Sequence, residues 1–338
     1  MENKNEEKLL VVENLSKEYH SRPRLFEKEK PGVKAVNDVS FFIKRGETFG
    51  VVGESGCGKT TLGKCIVRIF SPTSGKVYFF DEGKKIDILS LKGKESQEMR
   101  KKLQIVFQDP YASLNPMHNI YEAFDEPMRV HNIGGGDIEA RKKIIAESLE
   151  AVNLQPEYMY RYPHEFSGGQ RQRICIAKAL ALQPKLIVCD EPVSALDVSI
   201  QAQILNLMRK LQNKYDLAFM FIAHDLSVVQ YMSDRIAVMY LGQIVEMGNA
   251  NELYEDHLHP YTEALLSAVP NPVYGAEKNR ILLSGDVPSP MNPPSGCMFH
   301  PRCSKCMEIC KKVRPTMKIV RESGHSVACH LYHALDET

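Results

Sequence analysis

The chain has 338 residues, 43% of them hydrophobic, and a formal net charge of +1 from 43 Lys and Arg against 42 Asp and Glu. That length accommodates two domains, or one large domain with an extension, and the balanced charge excludes the broad basic surface of general nucleic-acid-binding proteins. No apolar run reaches membrane-spanning length, and the charged N-terminus lacks the apolar core of a signal peptide. We therefore expect a protein that stays in the cytosol, where its nine cysteines would be mostly reduced.

Strands and helices predicted from apolar periodicity alternate along most of the chain. Apolar runs predict strands at 9–14, 39–43, 48–52, 103–107, 186–189, 217–222 and 235–240, and a pair of short strands within 76–88. Apolar faces or capping residues predict helices at 60–70, 137–152, 168–182 and 199–214. This alternation predicts an α/β fold with a parallel sheet and crossover helices. The stretch from about 110 to 180 is predicted to be a mainly helical insertion.

The segment that follows the strand at 48–52 fits the phosphate-binding pattern G-x-x-x-x-G-K-[ST]. Its sequence is Gly53-Glu54-Ser55-Gly56-Cys57-Gly58-Lys59-Thr60. The glycines allow consecutive backbone N–H groups to face phosphate oxygens, Lys59 supplies positive charge, and the Thr60 hydroxyl can ligate Mg²⁺. A strand before the loop and a helix after it place a helix N-terminus at the phosphates. These flanking elements argue against the alternative, which is a chance match to the pattern.

The strand at 186–189 is apolar throughout and ends in two carboxylates, Asp190 and Glu191. We expect Asp190 to hold Mg²⁺, directly or through water, and Glu191 to orient and polarise the attacking water. The alternative is an ordinary strand end with solvated carboxylates, which the phosphate loop in the same chain disfavours. Together the two segments predict a site that binds a nucleoside triphosphate with magnesium and hydrolyses it.

A third motif, Ser167-Gly168-Gly169-Gln170, lies between the first two. Ser167 is placed to cap the following helix, and the two glycines expose backbone N–H groups at the positive end of that helix. We expect these residues of one subunit to face the γ-phosphate bound by the loop of a second subunit. A plain helix N-cap is the alternative interpretation.

These motifs resemble, in order, those of the ATP-binding subunits of ABC transporters. Residues 167–173 resemble the family signature, and Gln108 resembles the Q-loop glutamine that senses magnesium and contacts the membrane partner. Asp197 lies in a segment similar to the D-loop. His224 resembles the switch histidine at the γ-phosphate, and Tyr19 the aromatic residue that stacks on adenine. For His224 or Tyr19 taken singly, a structural role is the alternative.

The predicted site residues fall into three groups by role. The residues expected to bind ATP are Tyr19, Gly53, Ser55, Gly56, Cys57, Gly58, Lys59, Thr60, Thr61, Ser167, Gly168, Gly169, Gln170 and Asp197. The residues expected to act in catalysis are Glu191, His224 and Gln108. The residues expected to hold Mg²⁺ are Thr60, Gln108 and Asp190.

Further segments at 109–116, 259–262 and 285–290 resemble the oligopeptide and dipeptide importers of this superfamily. The resemblance covers nearly the whole chain. It implies a P-loop ATPase domain at 1–260, with a RecA-like parallel sheet, an N-terminal antiparallel β subdomain and a helical subdomain at about 110–180. Residues 261–338 would form a proline-rich strap and a cysteine-rich C-terminal extension.

The same resemblance implies a function, partners and a location. The chain would be the ATPase motor of an importer that takes up oligopeptides or dipeptides, at the cytoplasmic face of the membrane. Its partners would be a second ATPase subunit (a paralogue), two permease subunits and an extracellular binding protein, without nucleic acid. The alternatives are the same motor for an oligosaccharide or nickel importer, half of an ABC exporter, or a soluble ABC ATPase without a transport role.

Five of the nine cysteines cluster near the C-terminus, in a segment with few periodic apolar positions: Cys297, Cys303, Cys306, Cys310 and Cys329. Such a segment needs a staple, and a disulfide is not expected in the cytosol. Four thiolates suit zinc or an iron–sulfur cluster, and the C-x₂-C spacing at Cys303 and Cys306 alone favours zinc. The resemblance to peptide-importer ATPases implies a [4Fe–4S] cluster on Cys297, Cys303, Cys310 and Cys329. Cys306 departs from that pattern, and unmetallated thiols are the third alternative.

Overall fold

The computed structural model of the chain describes residues 8–20, 32–269 and 281–332. The start of the predicted proline-rich strap, at 270–280, lies outside these residues. Within the described parts, the strands are β1 (Lys8–Tyr19), β2 (Val33–Lys44), β3 (Thr48–Val52), β4 (Ser74–Asp81), β5 (Lys84–Asp87), β6 (Leu103–Val106), β7 (Leu186–Asp190), β8 (Ala218–Ala223), β9 (Arg235–Tyr240), β10 (Gln243–Asn249), β11 (Lys318–Ile319) and β12 (Ser326–Val327).

The α-helices of the same residues alternate with these strands. They are α1 (Lys59–Ile66), α2 (Gly93–Lys102), α3 (Pro110–Ser113), α4 (Ile120–Val130), α5 (Ile138–Ala151), α6 (Gly168–Leu180), α7 (Val198–Tyr215), α8 (Leu226–Met232), α9 (Ala250–Glu255), α10 (Pro260–Ser267) and α11 (Glu308–Lys312). The predicted alternation of strands and helices is therefore confirmed. Within the described ranges, no helix is both long enough and apolar enough to span a bilayer.

The described residues divide into two compact units. The first comprises 8–10, 43–47 and 78–222, and the second comprises 11–20, 32–42, 48–77, 223–269 and 281–332. The predicted domain boundary at residue 260 stays a prediction.

The first unit contains three neighbouring parallel strands, β6, β7 and β8, and helices α2 to α7. Strand β7 lies between β6 and β8, with Val106 opposite Cys189 and Asp190 opposite Ile222. All five residues of β7 are buried, as expected for a strand covered on both faces. The predicted helical stretch at about 110–180 contains α3 to α6 and two short 3₁₀ helices, so its helical character is confirmed.

The second unit contains a mixed sheet that includes the strand before the phosphate loop. Strand β3 pairs in parallel with β9, β9 pairs antiparallel with β10, and β10 pairs antiparallel with β12. The pairing of β10 with β12 brings the C-terminal segment into this sheet. A glutamate–histidine pair reinforces it, because Glu246 of β10 contacts His325, and both side chains are fully buried.

Candidate functional site

The predicted phosphate loop connects β3 to α1 in the second unit. Gly58 has a φ of 105°, and a Cβ at that position would lie 1.9 Å from the carbonyl oxygen of Ala35. Only glycine fits there, because any other residue would be strained at this φ and its Cβ would collide with that carbonyl oxygen. The pattern's second glycine is therefore a steric requirement of this fold.

Lys59 opens α1 and lies buried, with 5% of its surface exposed. Its ammonium group donates hydrogen bonds to the carbonyl oxygens of Gly53, at 2.7 Å, and Glu54, at 3.0 Å. The backbone of the loop thus supplies the hydrogen-bond acceptors for its own lysine. If a polyphosphate binds here, Lys59 would exchange these neutral carbonyl acceptors for anionic phosphate oxygens, which form stronger hydrogen bonds with an ammonium group.

Cys57 occupies a variable position of the pattern and is buried beside that lysine. Its Sγ lies 3.7 Å from Nζ of Lys59. Burial raises the pKa of the Cys57 thiol, although the neighbouring Lys59 opposes the shift. We therefore expect a neutral thiol that packs in the loop and does not react.

The remaining candidates of the second unit differ in exposure. Ser55 and Gly56 at the loop's tip are exposed, whereas Thr60 and Thr61 are half-buried. His224 is exposed and follows β8. The ring of Tyr19 is 38% exposed and contacts Phe70 edge-on, with 6.1 Å between ring centroids.

The two carboxylates of the first unit lie at the end of β7, as predicted: Asp190 is its last residue and Glu191 follows it. Asp190 is 4% exposed. Glu191 has a φ of 48°, a left-handed conformation that is uncommon for residues other than glycine and that clusters at functional sites. Its N–H donates to the carbonyl oxygen of Ile222 at 2.9 Å. That hydrogen bond holds the backbone of this strained turn.

Two predicted catalytic residues contact each other in this unit. Nε2 of Gln108 donates a hydrogen bond to Oε2 of Glu191 at 3.0 Å, and the same nitrogen lies 3.4 Å from Oγ of Ser194. The contact joins residues 83 positions apart in sequence. It places the Gln108 amide at the carboxylate of the residue predicted to act as the base.

The third motif forms a reciprocal cap at the start of α6. The N–H of Gln170 donates to Oγ of Ser167 at 3.3 Å, and the N–H of Ser167 donates to Oε1 of Gln170 at 3.0 Å. The predicted capping role of Ser167 is thus confirmed. A Cβ on Gly169 would lie 2.7 Å from Cγ2 of Ile200, whereas one on Gly168 would lie 3.5 Å from the nearest atom, Cδ2 of Leu196. Asp197 is exposed at the N-cap position of α7.

Arg171 is a residue of this helix whose contacts the sequence did not reveal. Its buried guanidinium group donates to the carbonyl oxygens of Pro163, at 3.2 Å, and Phe166, and to the hydroxyl of Tyr111. The guanidinium carbon also lies 3.6 Å from the centre of the Tyr111 ring. The segment after Gln108 is thereby attached to the start of the signature helix.

The second unit also contains an ion pair that no sequence motif indicates. The guanidinium group of Arg302 contacts both carboxylate oxygens of Glu54, at 2.8 and 3.1 Å. The hydroxyl of Tyr261 accepts a hydrogen bond from the N–H of Glu54 at 2.9 Å. No local pattern signals these contacts, because the ion pair spans 248 positions in sequence.

The C-terminal cysteines lie near one another as free thiols. The N–H of Cys297 donates to the carbonyl oxygen of Cys310 at 2.8 Å. Burial, together with the nearby thiols of Cys297, Cys303 and Cys310, raises the pKa of Cys329 to about 12. Over the described parts of the chain, however, no group of three or more His, Cys, Asp or Glu side chains is arranged to hold a metal ion. The arrangement therefore does not support the predicted metal centre.

Two family descriptions match separate parts of the chain. "ABC transporter" matches residues 36–194, and "Oligopeptide/dipeptide transporter, C-terminal region" matches residues 245–310. The first match includes the phosphate loop and Glu191, and the second includes Tyr261 and Arg302.

Similar proteins extend over almost the whole chain. The "Oligopeptide transport ATP-binding protein AppF" of Bacillus subtilis (strain 168) is 50% identical, covering 97% of this chain and 98% of that protein. The "Oligopeptide transport ATP-binding protein OppF" of Haemophilus influenzae is 49% identical, covering 96% of this chain and 97% of that protein.

A solved structure shares the fold of the ATPase part. It is the dimeric ATP-binding cassette MJ0796 in a post-hydrolysis state bound to ADP and Pi, which is 28% identical to this chain with a TM-score of 0.60. The match covers 72% of this chain and 99% of that protein. It confirms the predicted ABC ATPase fold, with its mixture of α and β structure.

Proposed function

We propose that this chain, which belongs to the oligopeptide and dipeptide family of ABC transporter ATP-binding subunits, couples ATP hydrolysis to uptake of oligopeptides or dipeptides through partner permeases. The chain is an ABC-type ATPase. The observation that carries the peptide assignment is 50% identity over 97% of the chain to an oligopeptide transport protein. An oligosaccharide or nickel importer, an exporter half and a non-transport ATPase are not favoured by these relatives.

In the proposed reaction, water attacks the γ-phosphorus and the bond from that phosphorus to the bridging oxygen breaks, which yields ADP and phosphate. Glu191 orients the water and accepts its proton. Lys59 and the N–H groups of the loop stabilise the charge on the phosphates. Thr60, Asp190 and Gln108 would hold Mg²⁺, and bound Mg²⁺ would supply charge neutralisation at the phosphate oxygens. His224 would contact the γ-phosphate, and Tyr19 would stack on adenine.

We propose that two subunits complete each ATP site. Residues 167–170 of one subunit would face the γ-phosphate bound by the other, with Asp197 at the same interface. The cap leaves the N–H groups of Gly168 and Gly169 at the positive end of a helix of 13 residues, which suits an anion. The dimeric form of the structural neighbour bound to ADP and Pi supports this arrangement. The second subunit would be a paralogue.

The segment after Gln108 is the surface that we assign to a permease. Tyr111 is 62% exposed and Met117 79% exposed, so apolar side chains are available there for a partner. The complex would hold two permeases at the cytoplasmic face of the membrane and would receive peptide from an extracellular binding protein. Nucleic acid is not expected to take part.

For the C-terminal cysteines we propose a [4Fe–4S] cluster on Cys297, Cys303, Cys310 and Cys329, with a structural role. The four thiols influence one another electrostatically, and the chemistry of four cysteines suits such a cluster. Cys306 interacts electrostatically with both Cys303 and Cys310, but it lies outside the four-cysteine pattern that the resemblance implies. The thiolates of these four cysteines would hold the cluster, which would tie together a segment with few core-forming side chains.

The experiment that tests the transport function is peptide uptake in cells that lack the chain's gene. Uptake of a labelled oligopeptide should be lost and should return with the wild-type gene, but not with a Glu191→Gln variant. Labelled oligosaccharide and Ni²⁺, measured in the same cells, test the alternatives. Normal peptide uptake without the chain, together with lost uptake of sugar or Ni²⁺, would refute the peptide assignment.

A further inference from the structure

The backbone and the side chain of Glu54, the second residue of the phosphate loop, both make hydrogen bonds. Its carboxylate accepts two hydrogen bonds from Arg302, at 2.8 and 3.1 Å, and its N–H donates to the Tyr261 hydroxyl at 2.9 Å. Its carbonyl oxygen accepts from Nζ of Lys59 at 3.0 Å and from the N–H of Cys57 at 3.2 Å. Two of these partners belong to the loop, and two come from the C-terminal region.

The two distant partners are rigidly supported. Arg302 ends a 3₁₀ helix (His300–Arg302), and its side chain is 8% exposed. Tyr261 lies fully buried in α10, with its ring centroid 4.7 Å from that of Tyr240 and 5.4 Å from that of Phe299. Such closely packed aromatic side chains leave little freedom to move. Arg302 and Tyr261 therefore hold Glu54 in one position, because neither side chain can move readily.

The charge of Glu54 makes this arrangement significant for ATP. A carboxylate within a loop that binds a polyphosphate opposes the ligand, because like charges repel. Arg302 neutralises that carboxylate through a bidentate contact, a geometry that a guanidinium group is well suited to provide. Without Arg302, the loop would carry an uncompensated negative charge and would lose one of its anchors.

We propose that the C-terminal region sets the affinity of the phosphate loop for ATP through two positioning residues, Arg302 and Tyr261, which act through Glu54. The inference rests on the proposed role of residues 53–61 in ATP binding. It gives the region that matches the oligopeptide/dipeptide transporter C-terminal family, residues 245–310, a role in ATP binding. Both positioning residues lie in that region, whereas Glu54 lies in the region that matches the ABC transporter family, residues 36–194.

The test measures the Kd for Mg-ATP and steady-state hydrolysis with the full-length chain. Arg302→Ala should raise the Kd about 10-fold, in line with the coupling energies measured for contacting residues, with kcat at saturating ATP nearly unchanged. Tyr261→Phe keeps the ring and removes the acceptor for the Glu54 N–H, so the Kd should rise by a smaller factor, about 3-fold.

A rescue variant separates this role from a general loss of structure. The double variant Glu54→Gln/Arg302→Ala removes both charges, and its Kd should return to within about 3-fold of wild type, because no carboxylate is left unpaired. A tail that is merely disrupted by Arg302→Ala would not be repaired by a change at Glu54. The matched control is Arg321→Ala, which removes the exposed contact of Arg321 with Asp256 and should leave the Kd unchanged.

Lys59→Ala, measured in parallel, distinguishes this inference from the loop assignment. Its Kd should rise at least about 30-fold if the loop binds ATP. Wild-type affinity in Lys59→Ala would refute the loop assignment. Two outcomes would refute the positioning role. In the first, Lys59→Ala raises the Kd, but the Kd values of Arg302→Ala and Tyr261→Phe both equal that of Arg321→Ala. In the second, the double variant has the same raised Kd as Arg302→Ala. Should Arg302→Ala fail to fold, Tyr261→Phe, which leaves Arg302 in place, still decides the outcome by its comparison with Arg321→Ala.

Discussion

Gln108 and Glu191 are joined by a hydrogen bond of 3.0 Å between Nε2 and Oε2. Glu191 has a left-handed backbone conformation, and its carboxylate accepts this hydrogen bond from a residue two positions after the end of β6. The same segment continues to Tyr111, whose ring stacks on Arg171 of the signature helix. The proposed permease-facing segment is therefore physically connected to the proposed catalytic base and to the start of α6.

The carboxylate of Glu191 should be required for hydrolysis but not for binding. Glu191→Gln keeps the size of the side chain but cannot accept a proton from water. We expect kcat to fall by about 10²- to 10⁴-fold, the range typical of a lost general base, while the Kd for ATP stays near wild type. The ATP-bound dimer should accumulate, which size-exclusion chromatography would detect. Turnover near wild type in the assembled transporter would contradict this assignment.

The hydrogen bond from Gln108 should contribute to the same step. Gln108→Ala removes the donor, and kcat should fall roughly 10-fold, the equivalent of one hydrogen bond to a charged group. The matched control is Gln104→Ala in the preceding strand β6, because the Gln104 amide donates to the carbonyl oxygen of Arg100 and not to Glu191. Equal effects of the two substitutions would show that the loss of activity does not arise from the contact with Glu191.

The elements that carry the motifs were predictable because their signals are local. The strand predicted at 48–52 coincides with β3, and the capping role of Ser167 follows from its distance to Gln170. Helix α2 was not predicted, because it is mostly charged and buries only Ser96 and Met99. An amphipathic pattern is too weak in such a helix to be recognised.

The contacts that give the site its geometry were not predictable. The ion pair of Arg302 with Glu54 joins residues from opposite ends of the sequence, and side-chain pairing over such separations leaves no periodic pattern. The left-handed conformation of Glu191 is another example, since a glutamate does not signal it as a glycine would. The sequence thus indicated which residues carry the chemistry, and the structure shows what holds several of them.

The signature glycines offer a test of the two-subunit site. A Cβ on Gly168 meets nothing closer than 3.5 Å, so Gly168→Ala should fold normally and retain most of the ATPase activity of the complete transporter. Gly168→Asp adds a carboxylate that would face the γ-phosphate of the opposite site. We expect it to impair hydrolysis but to spare ATP binding by the isolated subunit.

This pair of variants separates charge from bulk because they share a position. Equal activity of Gly168→Ala and Gly168→Asp in the assembled transporter would show that no phosphate approaches this position. The proposed role of residues 167–170 across the dimer would then be wrong.

The cluster proposed for the C-terminal cysteines predicts a specific metal content. Protein purified without oxygen should be brown and contain about four irons per chain, the content of a single [4Fe–4S] cluster. Cys303→Ser should lose colour and iron, whereas Cys306→Ser, the matched control, should keep both. One zinc per chain would instead support the zinc alternative, and no metal at all would leave free thiols. Loss of iron in both variants would place Cys306 among the ligands.

Two buried histidines should give opposite pH dependences of stability. The pKa of His259 is lowered by burial to about 4, although Glu246 opposes the shift. His259 is therefore neutral in the folded chain at neutral pH, and its contribution to stability is lost as the pH falls from its unfolded value of about 6.5 towards 4. The Nδ1 atom of this neutral ring accepts a hydrogen bond from the N–H of Tyr261 at 3.0 Å.

His325 behaves in the opposite way. Burial alone would lower its pKa, but hydrogen bonding to Glu246 at 2.8 Å and the nearby Glu252 carboxylate raise it above the usual value. Its contribution is therefore fully present below about pH 6.5 and is lost as the pH rises through the folded pKa. Thermal unfolding measured from pH 5 to 9 should show, relative to wild type, that His325→Gln lowers the Tm most at the acidic end. His259→Asn should lower the Tm least there. The same pH profile of the Tm difference for both variants would show that these shifts do not control stability.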